Sequence, residues 1–261
     1  MNSRQQQISA SFDRAAEYYE MHGLLQKKAA LELLARLPKW LADLPEGEAL
    51  ELGAGTGLVS EFMAQKLAPR PLTITDLSQA MLLHCQEKLG DRPGLSYERR
   101  DASLPLAEAR YALILSALAL QWLPDPYAGL KNYCRALVPG GKLIFSVMVE
   151  GSFAQWREEA AQLGLPYTAN PLPSAEQIAA CLAEEPGEVE LVTRNLPVKF
   201  PKARDFFFNL KAIGAAVALG PNRLNAGQMK RLMAALDRTQ PSGLTMDHQI
   251  CFACFKRHAD T

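Results

Sequence analysis

Glycines and an acidic residue stand where the chain is predicted to pass from strand to helix, and this pattern indicates a ligand site. Residues 50–57, Leu-Glu-Leu-Gly-Ala-Gly-Thr-Gly, read as the end of an apolar strand followed by a glycine-rich turn. Glycines in such a turn let a ligand approach main-chain atoms closely. Leu58 occupies the third glycine position of a dinucleotide fingerprint, and no Gly-Lys-Ser/Thr follows, so neither a dinucleotide site nor a P-loop is predicted.

Three acids lie at the ends of predicted strands: Glu51, Asp76 and Asp101. Parallel strands present their carboxyl ends along one edge of a sheet, so these carboxylates are expected to line one crevice. Glu51 suits an ammonium group, Asp76 can accept both hydroxyls of a ribose, and Asp101 can accept from an adenine amine. Each acid also fits a plainer role, since Asp76 could merely precede a helix cap at Ser78 and Asp101 could be a loop acid. Together they indicate a site for a cationic nucleoside.

Alternating strands and helices are predicted to position these residues. Helical periodicity runs from Ile8 to Leu37. Strands are then predicted to end at Leu52 and to cover residues 72–75, 95–99, 111–115, 142–149, part of 188–200, and 245–255. Strands that alternate with helices through short connections imply right-handed crossovers. The predicted fold class is α/β, with a Rossmann-like, mostly parallel seven-stranded sheet and helices on both faces.

The composition excludes several classes of protein. The 261 residues include 28 Lys and Arg against 28 Asp and Glu, so a dedicated nucleic-acid-binding surface is not expected. No apolar run reaches the roughly 18 residues of a membrane span, and the polar residues 1–11 do not resemble a secretory signal. The spacing of the five cysteines suggests no disulfide framework, which favours a reducing cytoplasm.

A C-terminal group of residues could suggest a metal site: His248, Cys251, Cys254 and His258. Residues 250–255 read as a buried strand, in which side chains alternate between faces. Because Cys251 and Cys254 are three residues apart, their thiols should point to opposite faces. We therefore predict core cysteines and no metal ion.

Four segments of the predicted core carry a family resemblance: residues 51–57, 75–82, 101–102 and 135–141. They are similar to the class I S-adenosylmethionine-dependent methyltransferases. The resemblance implies S-adenosylmethionine as cofactor, with Asp76 on the ribose hydroxyls, Met81 near the adenine and Asp101 on the adenine amine. The residues assigned to the cofactor in this way are Glu51, Gly53, Ala54, Gly55, Gly57, Asp76, Leu77, Met81, Asp101, Ala102 and Ser116, with Tyr18 and Gln26 from a lid.

Further segments extend the resemblance to nearly the whole chain: residues 12–16, 19–22, 25–26, 116–122, 149–153 and 210–215. They resemble the malonyl-acyl-carrier-protein O-methyltransferases of biotin synthesis. This resemblance implies that the methyl acceptor is the carboxylate of malonyl-acyl carrier protein or malonyl-CoA. A carboxylate is already ionised at neutral pH, so the enzyme needs no general base and contributes orientation and water exclusion. The candidates for orienting the substrate near the cofactor are Tyr18, Tyr19, His22, Gln121 and Trp122, with Arg204, Lys211 and Arg223 from a later part of the chain.

The chain is predicted to consist of four regions with different functions. These are an N-terminal helical lid (1–44), an S-adenosylmethionine-binding core (45–150), a mainly helical insertion for substrate and carrier (151–243) and a C-terminal strand (244–261). An acyl carrier protein is acidic, so its docking surface should be basic. The docking candidates are Lys199, Lys202, Arg204, Lys211 and Arg223. A solvated helical face is the plainer interpretation of these charges, and a monomer is favoured.

Two other functions are compatible with the sequence. The acceptor could be a free small dicarboxylic acid or a quinone-type molecule, and methylation of carbon would require a base near Gln121 or His22. Alternatively, the chain could be a catalytically silent methyltransferase-like partner protein. Such a protein should show an eroded glycine turn or missing strand-end acids, and this chain keeps both features.

Overall fold

A seven-stranded sheet forms the centre of the protein. The computed structural model describes residues 3–220 and 222–259. Its strands are β1 (Glu48–Leu52), β2 (Leu72–Asp76), β3 (Leu95–Arg99), β4 (Tyr111–Ala117), β5 (Leu137–Met148), β6 (Gly187–Asn195), β7 (Val198–Phe200), β8 (Leu244–Met246) and β9 (Gln249–Arg257). The sheet order is β3-β2-β1-β4-β5-β9-β6, in which β9 is antiparallel to both neighbours and the other adjacent pairs are parallel. The predicted fold class is confirmed.

Helices cover both faces of this sheet. They are α1 (Ser3–Ala15), α2 (Tyr19–His22), α3 (Leu24–Leu34), α4 (Leu37–Trp40), α5 (Ser60–Leu67), α6 (Gln79–Leu89), α7 (Pro126–Ala136), α8 (Ala154–Gln162), α9 (Ala175–Ala183), α10 (Ala203–Ala212) and α11 (Ala226–Thr239). One core cluster joins α3, α5 and α6 to Ile144 of β5, and a second joins α7 and α9 to Leu143 and Phe145. Neighbouring residues of β5 thus face opposite cores, as strand geometry requires.

The strand order creates a crevice between β1 and β4. The helices that follow these two strands pack on opposite faces, since α5 belongs to the first cluster and α7 to the second. After β2, the Ser78 hydroxyl accepts a hydrogen bond from Met81 N–H and begins α6. After β4, Asp125 accepts from two backbone N–H groups and begins α7. These caps fix where each turn beside the crevice ends.

The region predicted as a mainly helical insertion, residues 151–243, also supplies a strand of the main sheet. β6 pairs with β9 and forms one edge. Most of its side chains are exposed or half-buried, so its sequence carries no long apolar run that would mark it as part of the sheet. The predicted last strand, residues 245–255, is also divided: β8 pairs with β7 in a separate two-stranded sheet, and β9 begins at Gln249.

Two further expectations concern the C-terminal part of the chain. Cys251 and Cys254 lie in the second and first core clusters, so their thiols point to opposite faces as predicted. Residues 1–2 of the predicted lid and 260–261 of the predicted C-terminal region lie outside the described residues. Within the described chain, no helix is both long and apolar enough to span a bilayer.

Candidate active site

A cavity of about 430 Å³ lies over the carboxyl ends of the parallel strands. One part, here called the nucleoside half, is lined by residues that end or follow β1, β2 and β3, among them Glu51, Gly55, Asp76 and Asp101. The other part, here called the aromatic chamber, is lined by Phe153, Trp156, Phe200, Phe206, Phe207 and His248. The two parts form one continuous cavity, so ligands bound in them can meet.

Three glycines after β1 adopt left-handed backbone conformations, with φ of 73° at Gly53, 57° at Gly55 and 83° at Gly57. A Cβ at Gly53 would lie 2.4 Å from the Cβ of Ala119, so the loops after β1 and β4 approach too closely for a side chain. A Cβ at Gly55 would meet only a Tyr19 ring atom, at 4.0 Å, which leaves space for a ligand. Gly57 lies outside the cavity lining and packs against α6.

Backbone amides hold the carboxylate of Asp76 in one orientation. Oδ2 accepts a hydrogen bond from Gly55 N–H at 2.8 Å, and Oδ1 accepts from Ser78 N–H at 2.7 Å. Each carboxylate oxygen has a further acceptor position, so the group can also accept two ribose hydroxyls. Burial raises the pKa of Asp76 to about 6, against the lowering effect of the backbone hydrogen bonds.

Glu51 is a buried carboxylate with an unpaired oxygen. The residue is 1% exposed, and Oε2 has no hydrogen-bond partner among the described residues. Burial raises the pKa of Glu51 to about 7, and the nearby Asp76 carboxylate acts in the same direction. A cation in the cavity would offset both the lost hydration and this repulsion. The residues present therefore fit a positively charged nucleoside.

Asp101 closes the nucleoside half beyond β3. Its Oδ1 accepts from Ser103 N–H at 2.9 Å and from the Ser103 hydroxyl at 2.7 Å, which is the turn expected of a loop acid. Asp101 nevertheless lines the cavity, together with Ala102. The plainer role and the adenine role are therefore compatible.

The N-terminal segment is bonded to both the core and the insertion. Asp13 Oδ1 accepts a hydrogen bond from the Ser78 hydroxyl at 2.6 Å, beside the ribose-binding turn. Ser11 Oγ donates to the carbonyl of Gly214 at 3.0 Å. Phe12, between these two contacts, lines the cavity. The segment thus contributes to the cavity wall and connects the core to the region after residue 151.

Three further predicted site residues lie outside the cavity lining. Tyr18 ends a short 3₁₀ turn and is 48% exposed, and its neighbour Tyr19 lines the cavity in its place. His22 packs edge-on against Phe208, with ring centroids 5.8 Å apart. Ser116 Oγ is turned away to donate to a carbonyl of β1, so it joins two strands.

The remaining predicted cofactor and orienting residues line the cavity: Gly53, Ala54, Leu77, Met81, Gln26, Gln121 and Trp122. Sequence reasoning missed several polar residues there, and Ser146, Trp156 and His248 are those beside the aromatic walls. They come from β5, α8 and the turn between β8 and β9, so no short motif contains them. His248 entered the sequence analysis only as a possible metal ligand.

The predicted carrier-docking residues are all exposed: Lys199, Lys202, Arg204, Lys211 and Arg223. Two of them already have partners within the chain. Arg204 lies beside Asp205, with 3.6 Å between Nε and Oδ1. The Arg223 guanidinium also lines the cavity and donates to backbone carbonyls of its own loop. The lysines are therefore the better docking candidates.

Known proteins resemble both the core and the whole chain. Residues 50–145 match the family described as "Methyltransferase domain". A malonyl-[acyl-carrier protein] O-methyltransferase of Pseudescherichia vulneris is 31% identical over 239 residues, which cover 89% of this chain and 90% of that protein. The chain belongs to the malonyl-[acyl-carrier protein] O-methyltransferase family. It is thus an S-adenosylmethionine-dependent methyltransferase, and S-adenosylmethionine is its cofactor.

A longer relative and a solved structure are also similar to this O-methyltransferase. It is 32% identical over 252 residues to the biotin biosynthesis bifunctional protein BioCD of Bordetella avium (strain 197N). The match covers 96% of this chain but only 52% of that bifunctional protein. The fold is shared with phosphoethanolamine N-methyltransferase 2 of Haemonchus contortus, at a TM-score of 0.55 and 17% identity over 88% of this chain and 53% of that chain.

Proposed function

We propose that this O-methyltransferase transfers the methyl group of S-adenosylmethionine to the free carboxylate of malonyl-acyl carrier protein in biotin synthesis. The names of its relatives support this substrate and this pathway. The observation that carries the proposal is the single cavity, in which the nucleoside half opens into an aromatic chamber with room for an acyl group.

The residues of the cavity bind, orient and exclude water rather than move a proton. The cofactor supplies an electrophilic methyl group on a positively charged sulfur. Glu51 and Asp76 provide the negative charge that favours this cation, and Asp76 and Asp101 accept from the ribose and the adenine. The substrate carboxylate is already ionised at neutral pH, so no side chain has to act as a base. The N-terminal segment and the aromatic walls keep water from competing with the carboxylate.

We further propose that the carrier docks on an exposed patch above the cavity, the docking patch, formed by Met21, Leu24, Lys27, Phe208 and Lys211. Met21, Leu24 and Phe208 are 77%, 49% and 62% exposed. In each of two helices, a lysine follows an exposed apolar residue by three positions and so lies beside it. The patch is therefore apolar with a basic margin, which suits an acidic protein.

The docking patch has a specific test. Lys211→Glu should raise KM for malonyl-acyl carrier protein about fivefold, because a charge on the margin mainly governs association. KM for malonyl-CoA should stay unchanged, because this substrate has no carrier protein that could contact the docking patch. Lys256→Glu, at an exposed position of β9, is the control. An equal effect of both variants on the carrier would contradict docking at the patch.

The proposed reaction is tested by direct analysis of the product. Purified protein is incubated with methyl-labelled S-adenosylmethionine and malonyl-acyl carrier protein, and the carrier is examined by mass spectrometry. Malonyl-CoA, free malonate and a quinone-type phenol serve as alternative acceptors. We expect the methyl ester on the carrier. Methylation of only malonate or the phenol would refute the substrate assignment, and cofactor binding without any methylation would favour a silent partner protein.

We also propose the functional regions that the sequence predicts. Residues 1–44 form the lid, residues 45–150 bind the cofactor, and residues 151–243 bind the substrate and the carrier. β6 is the exception, because it completes the sheet from within the last of these regions. We propose a cytoplasmic monomer, without nucleic-acid or membrane partners. The five cysteines are free thiols in the structure, as expected in a reducing compartment.

A further inference from the structure

Three buried side chains that line the cavity beside its aromatic walls each carry one polar atom without a hydrogen-bond partner among the described residues. The unpaired atoms are Ser146 Oγ, Trp156 Nε1 and His248 Nδ1, and the residues are 1%, 6% and 3% exposed. Buried polar atoms of native proteins are usually paired, because an unpaired one loses its hydration without compensation. Three such atoms around one cavity therefore indicate a polar ligand.

The three side chains lie on the same side of the sheet. Ser146 of β5 is opposite Phe252 of β9, and Phe252 belongs to the same core cluster as Phe153 and Trp156. The His248 ring packs edge-on against Phe153 with centroids 5.2 Å apart, and Phe153 lies 6.1 Å from Trp156. Phe153 thus contacts both the imidazole and the indole and brings them to one wall of the chamber.

The chamber presents neutral donors rather than a free cation. Burial lowers the pKa of His248 to about 4, so its imidazole is uncharged at neutral pH. In the described lining the cations are Arg100 and Arg223, and both already bond to the chain, Arg100 to Glu98 and Arg223 to its own loop. A neutral imidazole has one N–H, and the His248 ring already makes hydrogen bonds with the backbone of Leu196 and Met246. A ligand oxygen beside Nδ1 therefore requires the tautomer that carries the proton on Nδ1, in competition with those bonds.

We infer that Trp156, His248 and Ser146 bind the malonyl group through hydrogen bonds to its oxygen atoms, and thereby select a short acyl thioester with a free carboxylate. This inference rests on the proposed function. Neutral donors suit both the substrate and the product of the reaction. They bind the anionic malonyl group without neutralising the charge of its attacking oxygen, and they can also bind the uncharged methyl ester. A cation at this place would bind the substrate more tightly than the transition state, in which the negative charge is being lost.

Removal of single hydrogen-bonding groups tests the inference. Trp156→Phe keeps an aromatic ring but lacks the N–H, and we expect KM for malonyl-acyl carrier protein to rise about 10-fold, as for a hydrogen bond to a charged group. Ser146→Ala should raise it about fivefold. S-adenosylmethionine affinity, measured by calorimetry, should stay within about twofold of wild type in both variants. Trp40→Phe is the control, because Trp40 is also a buried tryptophan but lies outside the cavity lining.

Each outcome separates the inference from the proposed function. If wild type forms no ester on any malonyl thioester, the proposed function fails and the inference fails with it. If wild type forms the ester but Trp156→Phe and Ser146→Ala leave KM unchanged, only the inference is overturned. A parallel loss of cofactor affinity in Trp156→Phe would indicate a structural role and would also overturn it.

Discussion

In the nucleoside half of the cavity, backbone amides hold the Asp76 carboxylate, whereas three side chains around the aromatic chamber each keep one polar atom without a partner among the described residues. Asp76 accepts from Gly55 and Ser78, which belong to the turns after β1 and β2. Trp156 and His248 come from α8 and from the turn before β9, far apart in the sequence. Short local segments therefore preorganise the nucleoside half, while the chamber depends on packing between distant elements and leaves its polar atoms for a ligand.

The rigidity of the nucleoside half can be tested at its first glycine. Gly53→Ala places a Cβ 2.4 Å from that of Ala119 and imposes a φ of 73° on alanine. We expect the free energy of unfolding, measured by urea denaturation, to fall by about 2–4 kcal/mol. Gly164→Ala is the matched control, because φ there is 62° but no atom lies within 4 Å of the added Cβ. Its expected cost is about 1 kcal/mol, and equal losses would contradict the close approach of the two loops.

The next largest effect is expected on cofactor binding. Asp76→Asn removes the charge that accepts the ribose hydroxyls, and hydrogen bonds to charged groups contribute about 1.5–3 kcal/mol. S-adenosylmethionine affinity, measured by calorimetry, should therefore fall about 10- to 100-fold. Asp101→Asn should cost less, because one oxygen of Asp101 already bonds Ser103. Unchanged affinity in the Asp76 variant would refute its ribose role, and a larger loss at Asp101 would reverse the order of importance.

The buried carboxylates of the nucleoside half predict a pH dependence opposite in sign to that of His248 in the aromatic chamber. The pKa values of Asp76 and Glu51 are raised to about 6 and about 7 in the folded protein. These two carboxyl groups therefore bind more protons in the folded than in the unfolded state between about pH 4 and pH 7, and their contribution to stability without cofactor should fall as pH rises. The lowered pKa of His248 acts in the opposite direction up to about pH 6.5 and reduces the net slope. A bound sulfonium favours the ionised acids, so binding should release protons and tighten up to about tenfold from pH 5.5 to 7.5.

Calorimetry at pH 6.5 in buffers of different ionisation enthalpy measures this release. A binding enthalpy that is the same in every buffer would show that neither carboxylate loses a proton. The Glu51→Gln variant is the control, because it removes one of the two titrating groups and should lower the number of protons released.

The smallest predicted effect distinguishes two adjacent tyrosines of the N-terminal segment. Tyr19 lines the cavity, and Tyr18 is 48% exposed. Tyr19→Phe should lower kcat/KM about threefold, as for the loss of one hydrogen bond, and Tyr18→Phe should leave it unchanged. If steady-state kinetics showed a larger loss of kcat/KM for Tyr18→Phe than for Tyr19→Phe, Tyr18 and not Tyr19 would make the lid contact.

The local sequence was sufficient to predict some of the site residues, but it was insufficient to predict others and the position of β6. Glu51 and Asp76 lie at the ends of strand segments rich in apolar residues, and Asp101 follows the next strand segment, so the sheet edge that carries the three acids could be predicted. The lid contact was assigned to Tyr18, whereas Tyr19 lines the cavity, because residues 16–18 form a 3₁₀ turn whose repeat differs from that of an α-helix. The place of β6 in the main sheet could not be predicted, because its edge position leaves charged residues such as Glu188 and Glu190 among its side chains.

By itself, the sequence determined the parallel sheet, the glycine turn and the order of the acids that follow the strands, because all three depend on neighbouring residues. Only the tertiary structure decided which residues share the aromatic chamber. Ser146, Trp156 and His248 meet there because β5, α8 and the turn before β9 pack together. Nothing in the short-range pattern of the chain specifies that packing, since each of the three residues alone reads as an ordinary core or strand position.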